Sequence, residues 1–301
     1  MSSTLVETAV FTSSVEVPSD GDEADAASVN GAFQVLADRS QWLLALHNGT
    51  LRGGYLTVGT NQVVVSPVRA LVVGGVYGSN AVQTTLTLPS LSSGTWYYVY
   101  AYPDGSGGVS FEVSTTAPDN SGTTGDGGAM WKSGGTARRY LGSFRTYIDG
   151  ASVVRPLPMH QTSGGRYIYR KSEVSEALVP ALAVLTSSGG SVTDEATVSL
   201  TGWVPPHARV ALVEVRITLA NQEDSPVFSI YEGGNAFTAS GRALSFTAPF
   251  RSVAVDGVFK NEHTIELSSS RDFGLKAATV GAGAAVITAM PLGFIERDTR
   301  G

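Results

Sequence analysis

The chain reads as a mainly β protein: an N-terminal arm and one helix, then two antiparallel β-sandwich or jelly-roll-like domains. Three observations carry this. From residue 51 onward, short runs of β-branched and aromatic residues alternate with turns rich in Gly, Ser and Asn, the pattern of many short antiparallel strands. The run Trp96-Tyr97-Tyr98-Val99-Tyr100-Ala101-Tyr102 is followed by a turn from Pro103 to Gly108, and Val109, Phe111 and Val113 then resume a period of two. Aromatic and branched side chains fit a pleated surface, and glycine supplies the positive φ a tight turn needs, so this is a hairpin. Helical periodicity is convincing in one place, between Ala24 and His47.

Residues 1–20 read as an extended arm, with Val6, Val10, Val15 and Val17 set among polar residues and Pro18 ending the run. Ser19, Asp20, Asp22 or Asp25 then caps the helix, where acids also suit the positive end of the dipole. Its apolar stripe is Val29, Ala32, Phe33, Leu36, Leu43 and Leu46, and Asn48-Gly49 stops it. Two uses of that stripe compete: packing on the chain's own sheet, or a short three-stranded coiled coil or helical bundle that sets oligomer state. Val29, Leu36 and Leu43 are spaced as heptad seam residues, while Arg39 on a seam position works against the coiled coil. The coiled coil is preferred because no strand in the first 60 residues is placed to receive the stripe.

Short strands follow at Tyr55–Val58, Gln62–Val65 and Ala70–Val73, then a meander over 76–118 that contains the aromatic hairpin. Residues 119–135 read as a Gly/Ser/Thr/Asp-rich loop, and Arg138–Thr146 returns as a strand. Pro156, Pro158 and Ser163-Gly164-Gly165 mark a boundary. The expected units are 1–50, for oligomerisation or attachment, 51–165 and 166–301. In the last, the stretch 210–219 alternates most cleanly: Ala211, Val213, Val215, Ile217 and Leu219 face one way, and Glu214, Arg216 and Thr218 the other.

Composition limits function. Hydrophobic residues make up 42% of the 301, enough for a core. Charged residues are only 15%, which leaves a largely neutral polar surface. A net charge of -6 argues against binding driven by phosphate neutralisation and against docking on anionic membranes. The absence of Cys excludes disulfides and thiolate sites. Met1-Ser2-Ser3-Thr4 opens no basic-then-apolar leader, so no signal peptide is expected. The apolar runs Leu178–Leu185 and Val280–Met290 are too short or too broken to span a bilayer.

Catalytic patterns are sparse. G-x-S-x-G, H-E-x-x-H and the Walker A loop do not occur. His47, His160, His207 and His263 share no ligand spacing, so no metal or cofactor site is expected. Asp20, Asp22 and Asp25 lack the spacing of a calcium loop and read as a cap. Acids such as Glu112, Asp194, Glu195, Glu214, Glu232, Asp256 and Glu266 mostly alternate with core residues, as on a solvated strand face. No catalytic residue is assigned and an enzyme is not expected. Two aromatics in glycine-rich surroundings, Trp131 and Tyr231, are the candidate ligand-facing side chains, since exposed rings stack on sugars.

Three blocks together resemble structural proteins of tailed-phage virions, of the tail-fibre, baseplate-associated and receptor-binding kind. The first is Phe11 to Leu44, where a polar stretch through Asp20-Gly21-Asp22 and Ala26-Ala27-Ser28-Val29-Asn30 leads into one helix. The second joins the aromatic run to Phe111–Asp119 and Arg138–Thr146. The third is Ser199 to Val215 with the closing Pro291-Leu292-Gly293-Phe294-Ile295. The resemblance implies a homotrimer or repeated copies in a virion assembled in the host cytoplasm. Its partners would be other virion proteins and a host-surface glycan or receptor. A capsid decoration or head-fibre protein, and a particle-associated glycan hydrolase, are the alternatives. The H-x-H repeats of iron-stabilised phage needle tips are absent.

Overall fold

A computed structural model describes residues 36, 48–119, 129–135, 137–162, 165–170, 183–188, 193–208, 210–219, 225–231, 243–247, 258–267, 269–280 and 284–296. The arm and most of the helix stripe (Val29, Ala32, Phe33, Leu43 and Leu46) lie outside them; Leu36 is helical and exposed.

The first half supplies β1 (Leu51–Gly53), β2 (Leu56–Val58), β3 (Val63–Val65), β4 (Val68–Val73), β5 (Val76–Asn80), β6 (Thr84–Thr85), β7 (Trp96–Pro103), β8 (Val109–Ser114), β9 (Pro118–Asp119), β10 (Trp131–Lys132), β11 (Arg139–Ile148), β12 (Val154–Pro156) and β13 (Met159–Gln161). The second supplies β14 (Arg166–Tyr169), β15 (Ala183–Ser188), β16 (Thr193–Ser199), β17 (Val210–Leu219), β18 (Ser225–Tyr231), β19 (Ala243–Thr247), β20 (Val258–Glu266), β21 (Asp272–Val280) and β22 (Ala284–Ile295). The protein is therefore mainly β, as the alternation predicts.

These strands form four antiparallel sheets. Three strands run in the order β1-β4-β5, and four in the order β16-β21-β18-β19. A six-stranded sheet runs β8-β7-β11-β10-β9, with β12 added to β11. A nine-stranded sheet runs β20-β17-β22-β14-β13-β2-β3-β6, with β15 added to β22. The expected division after residue 165 falls between two neighbouring strands of this last sheet: β13 pairs with β14, Met159 opposite Tyr169. One buried cluster likewise runs from Leu51 to Phe294.

Close packing of β14 on β22 depends on Gly293, where a Cβ would collide with the Tyr167 carbonyl oxygen. A register shift at Leu212/Val213 lets β22 carry Pro291 inside a central strand, since a bulge releases the ladder position a proline cannot fill. β17 departs from the expected two-faced pattern. Ala211, Val213 and Val215 are buried as predicted, but Leu212 and Glu214 on the other face are buried too, and Glu214 is ion-paired with Arg216.

Within the predicted loop of residues 119–135, the described residues 119 and 129–135 contain strand. β10 pairs with both β9 and β11 and carries Trp131 into the core, fully buried, with the Arg139 guanidinium 6.0 Å from its ring. Trp131 is thus a core side chain in this chain, not a ligand-facing one. A large indole gains more from this burial than glycine-rich surroundings suggested.

Candidate functional site

The aromatic hairpin divides as its alternation predicts. Tyr97, Val99 and Ala101 enter the main core, where the Tyr97 ring stacks on Phe144 with centroids 5.5 Å apart. Tyr98 and Tyr100 point the other way and join Met130 and Tyr140 in a separate cluster, with Trp96 packed at its edge. A bulge makes that second face. Tyr140 lies opposite Tyr100, the register shifts before Gly142, and Ser143 and Arg145 lie opposite Tyr98 and Trp96. Directly opposed residues share a face, so the extra residue, Leu141, brings Tyr140, Ser143 and Arg145 to the same side.

At the centre of the face the Tyr140 hydroxyl donates to Glu296 Oε2 at 2.8 Å, and the Ser143 hydroxyl donates to Glu296 Oε1 at 2.6 Å. His207 Nε2 lies 2.9 Å from Glu296 Oε1 and 2.9 Å from the Tyr140 hydroxyl. Its Nδ1 is buried and has no hydrogen-bond partner among the described residues. The imidazole meets Tyr140 edge-on at 5.1 Å and tilts against Tyr98 at 5.6 Å.

Burial pushes the Glu296 carboxyl up, but the nearby His207 and the three donors outweigh it and hold the group below its ordinary value. Burial, then the Glu296 charge, pushes the Tyr98 phenol up to about 12. The same two causes, in the same order, raise Tyr140 well above the ordinary phenol value. The cluster thus joins an ionised carboxylate to neutral phenols. Mechanically, it ties the end of β22 and the turn at 201–208 onto β11.

The two ends of the face differ. At one, Glu112 accepts from Lys132 and, at 3.2 Å, from Arg138 Nε, while the Arg138 guanidinium sits 3.6 Å over the Tyr102 ring. At the other, the Arg145 guanidinium lies 4.9 Å over the half-buried Trp203 ring. Trp96 packs edge-on against Phe294 at 5.5 Å.

The residues singled out from sequence fall elsewhere or alone. Tyr231 is half-buried at the end of β18, opposite Ala243 and Gly274. Of the acids, Glu112 and Glu214 are in ion pairs, and Glu266 is exposed at the end of β20. Glu232 and Asp256 lie outside the described residues. Among the described residues no group of three His, Asp or Glu side chains is placed to hold a metal ion, and no helix is long and apolar enough to cross a membrane. Sequence reasoning missed the Tyr140–Ser143–His207–Glu296 cluster. The available signal was the polar content of Arg138–Thr146, in which Arg138, Arg139, Ser143, Arg145 and Thr146 stand among apolar residues.

No protein-family model matches the chain, and none of the curated proteins does. Among solved structures it is similar to a carbohydrate-binding module of a Cellvibrio mixtus lichenase, solved with cellotriose, at 14% identity over 38% of this chain and 98% of that one, TM-score 0.22. It is also similar to the infectious bursal disease virus VP2 subviral particle, at 11% identity over 81% and 72%, TM-score 0.26. A Bacillus thuringiensis Cry1Da tryptic core variant is similar at 10% identity, TM-score 0.24, with 85% of this chain covering 54% of that one. TM-scores of this size carry no argument about function.

Proposed function

We propose that the chain is a structural component of a phage virion, a tail-fibre or baseplate protein that takes part in particle assembly and host attachment and acts by binding, not by catalysis. In this reading it works as a homotrimer joined through its N-terminal segment, with the β-rich body turned outward. Weak contacts then gain strength from copy number.

The observation that carries the reading is where apolar area stands in solvent. Val76 and Tyr77 on β5, Val82 just after it, and Ile148 and Val153 around the β11–β12 turn are all exposed, as is Leu36, which is 53% exposed on a predicted helix seam. Four acids among the described residues have basic partners: Glu112 with Lys132 and Arg138, Asp149 with Arg155, Glu214 with Arg216, Glu296 with His207. Apolar side chains standing in solvent suit a subunit that meets other subunits.

Light scattering on the purified full chain tests this. A trimer at micromolar concentration, reduced to monomer by Leu36→Asp, is the expected outcome. A wild-type monomer under those conditions overturns the assembly reading.

A further inference from the structure

Six arginines among the described residues are buried or half-buried, and five of them have oxygen partners. Arg138, Arg155 and Arg216 pair with Glu112, Asp149 and Glu214. Arg139 donates to the carbonyls of Gly49, Met130 and Tyr140 at 2.8, 3.0 and 3.1 Å. Arg271 donates to the carbonyls of Thr201 and Val204 at 3.2 and 3.0 Å. Arg145 is the exception. Among the described residues its guanidinium has no hydrogen-bond or ion-pair partner, and its Nε is buried without an acceptor.

A half-buried cation with no counter-ion is costly, and burial accordingly lowers the Arg145 pKa below the ordinary guanidinium value. The residue directly opposite it, Trp96, has the same defect: its indole N–H is buried with no acceptor among the described residues. Two orphaned donors thus stand side by side on one face. Stacking on Trp203 fixes the plane of the guanidinium. Two glycines border it: a Cβ on Gly202 would lie 3.3 Å from Arg145 Nη2, and one on Gly94 3.8 Å from it. The Nη edge is therefore bordered by backbone that carries no side chain.

We infer that Arg145, stacked on Trp203 and rimmed by Gly94 and Gly202, is a subsite for the carboxylate of an acidic sugar. The planar fork matches a carboxylate in bidentate geometry. The half-buried indoles of Trp96 and Trp203 supply apolar surface of the kind a pyranose ring packs on. That apolar surface favours a sugar acid over inorganic phosphate, which has no hydrocarbon face. The inference names the ligand class for the attachment role proposed above and takes its biological setting from that reading, while the chemistry of the subsite stands on its own geometry.

The test is a titration of the full chain, read by tryptophan fluorescence, with three probes: a glucuronic-acid-containing oligosaccharide, the same oligosaccharide with its carboxyl groups reduced to alcohols, and inorganic phosphate. The expected result is saturable binding of the acidic sugar with a dissociation constant of about 1 mM or tighter, and binding of the reduced sugar and of phosphate weaker by about tenfold or more. Arg145→Gln loses the selectivity for the carboxylate, and Arg145→Lys, which keeps the charge without the fork, recovers part of it. No saturable signal with the acidic sugar overturns the inference, as does equal affinity for the reduced sugar or phosphate. The wild-type comparison decides the matter even if Arg145→Gln fails to fold. Because oligomeric state is measured separately by light scattering, failure of this subsite is distinguishable from failure of the assembly reading.

Discussion

Glu296 is 4% exposed and accepts from a phenol, a hydroxyl and an imidazole. An ionised group so enclosed is stable only while its donors stay in place. Since its folded pKa lies below the ordinary carboxylate value, its contribution is fully present above the unfolded-state pKa and is lost as pH falls through the folded one. The urea midpoint of the wild type should therefore fall between neutral pH and about pH 3, and Glu296→Gln should flatten that part of the profile. Glu296→Ala, which leaves three donors facing an empty site, should cost about 3 kcal/mol at neutral pH. A Glu296→Gln profile as steep as wild type over that range would show that acid sensitivity arises elsewhere. Beyond the polar residues of the Arg138–Thr146 strand, none of this was legible in the sequence. Ser143 and Glu296 are 153 residues apart, and satisfaction of a buried polar group is a property of the folded arrangement, with no periodicity to announce it.

At the scale of single strands the sequence said much more. The division of Trp96–Tyr102 into two faces follows from a period of two, and the structure keeps it. The alternation of β17 predicted its core side correctly but not its other side, because polarity along a strand cannot reveal that β17 is central, flanked by β20 and β22. The short pairing of Trp131 with Arg139 and Asp119 was equally hidden, since two residues are too few to carry a pattern. Gly293 shows how narrowly one such pairing is set. It lies opposite Ile168, directly against the Tyr167 backbone. Gly293→Ala has no flexible neighbour to push aside, so β14 must separate from β22. The expected loss is about 3 kcal/mol, visible as a lower thermal midpoint and as faster amide exchange at Tyr167 and Ile168. A midpoint within experimental error of wild type would mean that the backbone there shifts freely.

For the whole molecule, the decisive fact is the path of the nine-stranded sheet through the position where sequence composition suggested a break. Pro156, Pro158 and Ser163-Gly164-Gly165 have boundary composition, yet β13 and β14 on either side of the glycines pair with each other, and through them β2 and β3 connect to β22 and β17. The Gln161 side chain adds to the same seam: its carbonyl accepts from Leu56 N at 2.9 Å and its amide donates to the Tyr167 hydroxyl at 2.6 Å. A fragment ending at residue 165 would leave the β13 edge unpaired and remove Tyr167 and Phe294, whose rings stack at 4.5 Å within the common core. Exposed edges and missing core of that kind do not support a stable part. Residues 51–165 and 166–296 should therefore unfold together: denaturation followed by tryptophan fluorescence and by far-ultraviolet circular dichroism should give one coincident transition. Expressed alone, 51–165 should lack a cooperative one. Two resolved transitions in the full chain, or a fragment that melts cooperatively by itself, would show that the continuous sheet is a contact between independently stable halves.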